Sequence, residues 1–210
     1  MGWVEPEHDI EVDDGDLAGS RTELDPRLLS EMWVEVLERK GRMWGEVYSG
    51  SMRPLIRVQD RVLVCQVELE RVRVGDIVLF WSGRQLVAHR VLLRWRNRGA
   101  WVLLQKGDFN LGAAIVQADS VLGRVEAVKR DDRVVDLLAG GSRWVQVALA
   151  LYGLGLLSLR LVLRLLSHLP GLNDLEQRLM GEWVHLLPNL WVKRLLYKQA
   201  GYANHGDQGA

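Results

Sequence analysis

The sequence predicts a mainly β domain with a short helix before it and a helical extension after it. Three observations predict this fold class. Short runs rich in Val, Leu and Ile alternate with Gly, Asp and Asn turns over residues 44–137. A stretch of helical periodicity precedes them, over 26–41. A long, basic, Leu- and Trp-rich stretch follows them, over 142–200.

Composition is consistent with that organisation. The chain has 210 residues, 48% hydrophobic and 26% charged, enough for one folded domain with appendages. Lys and Arg total 27 and Asp and Glu total 27, so the formal net charge is zero. That balance argues against a generally basic nucleic-acid binder, and no nucleic-acid partner is expected. Cys65 is the only cysteine, which excludes an internal disulfide and a cysteine zinc site. His168 and His185 lack partners at ligand spacing, so no metal is expected.

The elements follow in order. Residues 1–25 form an acidic arm whose only base is Arg21, and they read as solvated and disordered. The arm has neither the basic start nor the apolar stretch of a signal peptide. In PRLLSEMWVEVLERK (26–40), Leu28, Leu29, Met32, Trp33, Val36 and Leu37 fall at helical spacings. Asp25 before Pro26 makes a start signal, and Gly41 a stop. Strands are expected in VLVCQVEL, DIVLFW, QLVAHRVLLRW, AWVLLQ and SVLGRVEAV. Cys65, within the first of these runs, reads as a small buried hydrophobe.

Residues 144–169 are the strongest apolar segment. From Val147 to Leu159 there is no charge, but that is 13 residues, against the roughly 20 that a spanning helix needs. Arg160 and Arg164 share a helical face. Three readings stay open: a helix lying in a membrane interface, a helix packed on the β domain, and a span with snorkelling arginines. After Pro170-Gly171, a second stretch places Trp183, Leu186, Leu187, Leu190, Trp191, Leu195 and Leu196 beside Lys193, Arg194 and Lys198. Together these segments point to a membrane surface as a partner through residues 144–196, and to a membrane-associated protein. Residues 201–210 read as a loose tail.

Three short segments carry candidate chemistry: Tyr48-Ser49-Gly50-Ser51-Met52-Arg53-Pro54, Val87-Ala88-His89-Arg90-Val91 and Gln105-Lys106-Gly107-Asp108-Phe109-Asn110. Each alone reads as an ordinary turn or strand. Together they supply a nucleophile, a base and an orienting carboxylate. A serine oxygen needs a neighbour to take its proton. Histidine titrates near neutrality and can do so. A carboxylate can hold the imidazole's tautomer. Lys106 competes as base, if desolvation lowers its pKa.

In this order, SGSMRP, GDIVLF, VAHRV and LLQKGDFN resemble the type I signal peptidase superfamily, over residues 45–128. The resemblance implies that Ser51, directly before Met52, is the nucleophile. His before Arg-Val is similar to the Ser-His subtype, which implies that His89 is the general base. It also implies that Asp108 supports that base, and that Ser49 joins the Ser51 N–H as an oxyanion donor. Asp60 and Asp76 match the family's structural Gly-Asp turns, with Gln59 standing where the family has Gly. No cofactor is implied. The family's N-terminal transmembrane anchor has no counterpart here. Either the C-terminal apolar segment takes its place, or the protein stays in the cytosol.

The expectation is a signal-peptidase-like serine endopeptidase that cuts a peptide or precursor protein. The alternatives are a non-catalytic peptide-binding module on the same fold, and a self-cleaving regulator cutting at Ala18-Gly19.

Overall fold

The computed structural model describes residues 26–166 apart from Arg84. The acidic arm, the second Leu- and Trp-rich stretch and the 201–210 tail lie outside the described residues, as does Ala18-Gly19. Helix α1 runs over Pro26–Lys40, the expected bounds. Its end is fixed where the Gly41 N–H donates to the Leu37 carbonyl at 2.8 Å. Gly41 then takes φ +69°, a left-handed turn open to glycine. Leu37 is buried in the core, with Trp33 packed beside it.

The β region is one antiparallel sheet. Its strands are β1 (Arg42–Glu46), β2 (Arg61–Cys65), β3 (Ile77–Trp81), β4 (Leu86–Asn97), β5 (Ala100–Lys106), β6 (Ala114–Gln117), β7 (Val121–Arg130) and β8 (Arg133–Asp136). The order is β1-β2-β7-β3-β4-β5-β6, with β8 pairing β7. The expected run VLVCQVEL is strand only to Cys65, because the chain then enters a 3₁₀ turn at Leu69–Arg71.

Both faces of the sheet are apolar, and β3 shows how. Ile77 and Leu79 join one core cluster with Met52, Leu55, Val64, Val125 and Leu149. Val78 and Phe80 join the other, with Val72, Val91, Leu103 and Val116. This is the two-residue alternation of a strand covered on both sides.

Helix α2, Gly140–Leu166, closes over the first cluster. Its first turns are tied to the sheet by polar side chains. Arg143 pairs with Asp76 and donates to the Val74 carbonyl at 3.1 Å. Gly75, at φ +94°, lets the helix approach, since a Cβ there would meet the Gln146 carbonyl carbon at 2.9 Å. By length and composition α2 is apolar enough to cross a membrane, with mean hydropathy 1.8 over its best window and 22% of that window buried.

The two expected turn aspartates are buried clamps. Asp60 accepts the Arg57 N–H at 2.6 Å and receives Arg130 at 2.8 and 2.6 Å. Gln59 before it adopts φ +72°, so this turn keeps the left-handed backbone that glycine favours. Asp76 accepts the Arg73 N–H at 2.7 Å and pairs with Arg143 and, at 3.7 Å, Arg124.

Candidate active site

The three candidate segments converge on the turn after β5. Ser51 lies in a tight turn in which the Arg53 N–H donates to the Gly50 carbonyl at 3.2 Å. Met52 buries its side chain in the first core cluster and so anchors the segment. The Ser51 carbonyl accepts the Phe109 N–H at 2.9 Å. Its oxygen also lies 2.7 Å from where a Cβ on Gly107 would stand. Gly107 is therefore needed for this close approach of two backbones.

Strand alternation sorts the remaining groups. The last rungs of the β4–β5 ladder pair Val91 with Gln105 and Arg90 with Lys106. The ladder ends there, and Gly107 begins the turn. His89, Val91 and Gln105 thus share one face, while Arg90 and Lys106 share the other. The contacts agree. His89 packs edge-on to Phe80 of the second cluster, with ring centroids 6.0 Å apart. Lys106 instead borders a small cavity with Leu92, Asp108, Leu149, Tyr152 and Gly153, beneath α2. The Ser51 main chain is seated on the turn itself, where a Gly107 Cβ would be.

His89 is held by Gln105. Its Nδ1–H donates to the Gln105 Oε1 at 2.5 Å, which leaves Nε2 as the proton-accepting nitrogen. Burial pushes the His89 pKa below its ordinary value, while the Gln105 bond and the Asp108 charge oppose that shift and Lys106 adds to it. Gln105 is itself buried. Sequence reasoning missed it. The available signal was a polar pair, Gln105-Lys106, ending an otherwise apolar strand.

The expected hydrogen bond from His89 to Asp108 is replaced by a different pairing. Asp108 is clamped by Arg90, which donates to both its oxygens at 2.7 and 2.6 Å. Arg90 is fully buried and also donates to the Gly75 carbonyl at 2.9 Å and to Gln146 of α2. Alternation is the physical reason, because it sends adjacent residues His89 and Arg90 to opposite faces. Asp108 acts on His89 through its charge.

Ser49 and Ser51 stand with their hydroxyl oxygens 3.4 Å apart, and among the described residues Ser49 is the hydrogen-bond partner of Ser51 Oγ. The Lys106 ammonium is buried and donates to the Gly107 carbonyl at 3.1 Å and the Asp108 carbonyl at 3.5 Å. Burial pushes its pKa down, against the Asp108 charge, with Arg90 lowering it further. Cys65, only half-buried, has its thiol pushed up to about 12, first by desolvation and then by Glu126. Among the described residues, no group of three His, Cys, Asp or Glu is arranged to hold a metal ion.

This arrangement offers an exposed hydroxyl pair on the turn after β5 and, on β4, an imidazole held by Gln105. Compared with known proteins, the chain matches no family model and no curated protein.

Proposed function

We propose that this chain is a serine endopeptidase of the signal-peptidase-like type, acting on a peptide or precursor protein, with Ser51 as nucleophile and His89 as general base. The observation that carries the reading is that the Ser51 main chain seats on the turn ending β5, the strand whose Gln105 engages His89 Nδ1 and leaves Nε2 to accept a proton. Lys106 is the weaker base, since it faces α2 and is held by two carbonyls.

Ser51 Oγ adds to the scissile carbonyl as its proton passes to the His89 Nε2. The oxyanion is met by the Ser51 N–H and the Ser49 hydroxyl, and one such donor is worth roughly 10²- to 10³-fold in rate. The imidazolium then protonates the leaving amine, and an acyl ester remains on Ser51. Water, deprotonated by His89, hydrolyses that ester and restores the hydroxyl. Ser51 and His89 are not hydrogen-bonded in the free protein. Catalytic contacts of this kind often tighten only with substrate bound. The apolar α2 supports a membrane-associated location for this activity.

The test compares protein N-termini in host cells carrying the wild type or Ser51→Ala, with the intact mass of the chain measured alongside. New termini on other proteins that vanish in the variant support the peptidase. A cut confined to its own chain replaces it with the self-cleaving regulator. No Ser51-dependent terminus, together with no labelling by a serine-directed probe, leaves the peptide-binding module.

A further inference from the structure

The inner and outer faces of α2 differ in a way that decides how it meets a membrane. Its inner face is bound to the folded sheet. Gln146 accepts from buried Arg90, Arg143 pairs with Asp76, and Ser142, Leu149 and Ala150 are buried. Gly153 is also seated against the sheet, where a Cβ would stand 3.3 Å from Leu92, and Leu163 further along is buried as well.

The outer face is apolar and open. Trp144 is 77% exposed, Leu151 60% and Leu165 68%, with Val162 exposed beside them. Trp144, Leu151 and Leu165 are spaced by seven and fourteen residues, so they form one stripe along the helix. The helix carries Arg143, Arg160 and Arg164 and no acidic residue. With Arg143 taken up by Asp76, the charges the helix adds are Arg160 and Arg164, on the face opposite the apolar stripe, the two-faced composition of a helix lying on an anionic bilayer.

Length rules out a crossing while those contacts hold. Sixteen residues separate Gly153 from Pro170. As helix they would reach about 24 Å, short of a hydrocarbon core of about 30 Å. A span would need the first half of α2 to leave the sheet. That would strand Arg90 and Asp76 without Gln146 and Arg143, at a cost of several kcal/mol for buried charges that lose partners.

We infer that α2 is an in-plane membrane anchor. It lays the Trp144–Leu151–Leu165 stripe into the headgroup and acyl boundary of an anionic bilayer and does not cross it. The inference rests on the fold and stands apart from the peptidase reading. On that reading it has one consequence. His89 and Gln105 lie on the sheet face away from α2, so the scissile bond is met clear of the lipid.

The test is flotation of the full chain with vesicles of phosphatidylcholine containing phosphatidylglycerol. The wild type and Ser51→Ala should float equally, which separates anchoring from catalysis. Leu151→Glu with Val162→Glu should weaken binding by about tenfold or more. A second measurement guards against a folding defect. Nitroxide depth is read at Leu151→Cys and Leu165→Cys, each in a Cys65→Ser background. The two labels lie about 21 Å apart along the axis, yet should report the same shallow depth. No flotation overturns the inference, as does flotation undiminished by the double substitution. A depth difference approaching 21 Å makes α2 a span and overturns it too.

Discussion

Gln105→Glu is the most informative single substitution, because it changes charge at one atom that touches His89. The Nδ1–Oε1 distance is 2.5 Å, so a carboxylate there would lie roughly 4 Å from the centre of the imidazolium. At an effective dielectric of about 20 that pair is worth about 4 kcal/mol, an upper bound of about three pKa units. Desolvation of the new carboxylate offsets part of this, so a rise of about one to three units is expected. The assay is an NMR titration of the ring carbons of the five histidines, with His89 assigned by its loss in His89→Gln. Stability should change sign with it. In the wild type, burial holds His89 below its unfolded value of about 6.5. That contribution is present above about 6.5 and lost as pH falls through the folded pKa. In the variant the folded value lies above 6.5. Its contribution is then complete below about 6.5 and lost as pH rises through the raised pKa. A His89 resonance that moves by less than about 0.3 units would refute the contact, and with it the assignment of the Nε2 as the free base.

Four further outcomes follow from the same geometry. Gly107→Ala drives a Cβ into the Ser51 carbonyl at 2.7 Å, so serine-probe labelling should fall by about 10²-fold while thermal unfolding shows the fold retained. Lys106→Met should retain labelling and raise stability at neutral pH by about 1 kcal/mol in urea titration, since a desolvated ammonium is removed; loss of labelling in a folded protein would make Lys106 the base. Arg90→Ala leaves buried Asp108 without its partner and should cost about 3–5 kcal/mol in urea unfolding, unlike an exposed arginine such as Arg39. With its thiol at about 12, native Cys65 should react with a thiol reagent at pH 8 about 10³-fold more slowly than unfolded chain, read by absorbance.

Local chemistry was legible in the sequence and pairing across the sheet was not. The bounds of α1 followed from Pro26, Gly41 and the apolar spacing, all of which act within a few residues. The central strands followed from β-branched runs between turns. Three short strands escaped because their signals are weak. β1 contains Gly45, and β6 and β8 have four residues each. The order β1-β2-β7-β3 is non-sequential, so no local pattern encodes it. Register sets the partner of Asp108. Only when Arg90 is known to pair with Lys106 does alternation place Arg90, and not His89, over that carboxylate. Gln105 escaped for the same reason, because its role depends on the strand beside it.

The three aspartates at the turn positions share one fate. Asp60 is bound by Arg130, Asp76 by Arg143 and Arg124, and Asp108 by Arg90. Each is buried or nearly so, and each joins segments far apart in the chain. Charge pairs of this kind hold loops in place, and breaking one leaves an uncompensated charge. The Ser49–Ser51 and Gln105–His89 pairs are neutral instead: two hydroxyls, an amide and an imidazole whose burial disfavours its charged form. The sheet thus separates its work by face. One face, under α2, carries the Arg90–Asp108 clamp that sets the turn at Gly107. The other carries groups able to move a proton without an ion pair to break first. A substitution in a clamp should therefore appear in the unfolding midpoint, and one at Gln105 in the titration of His89.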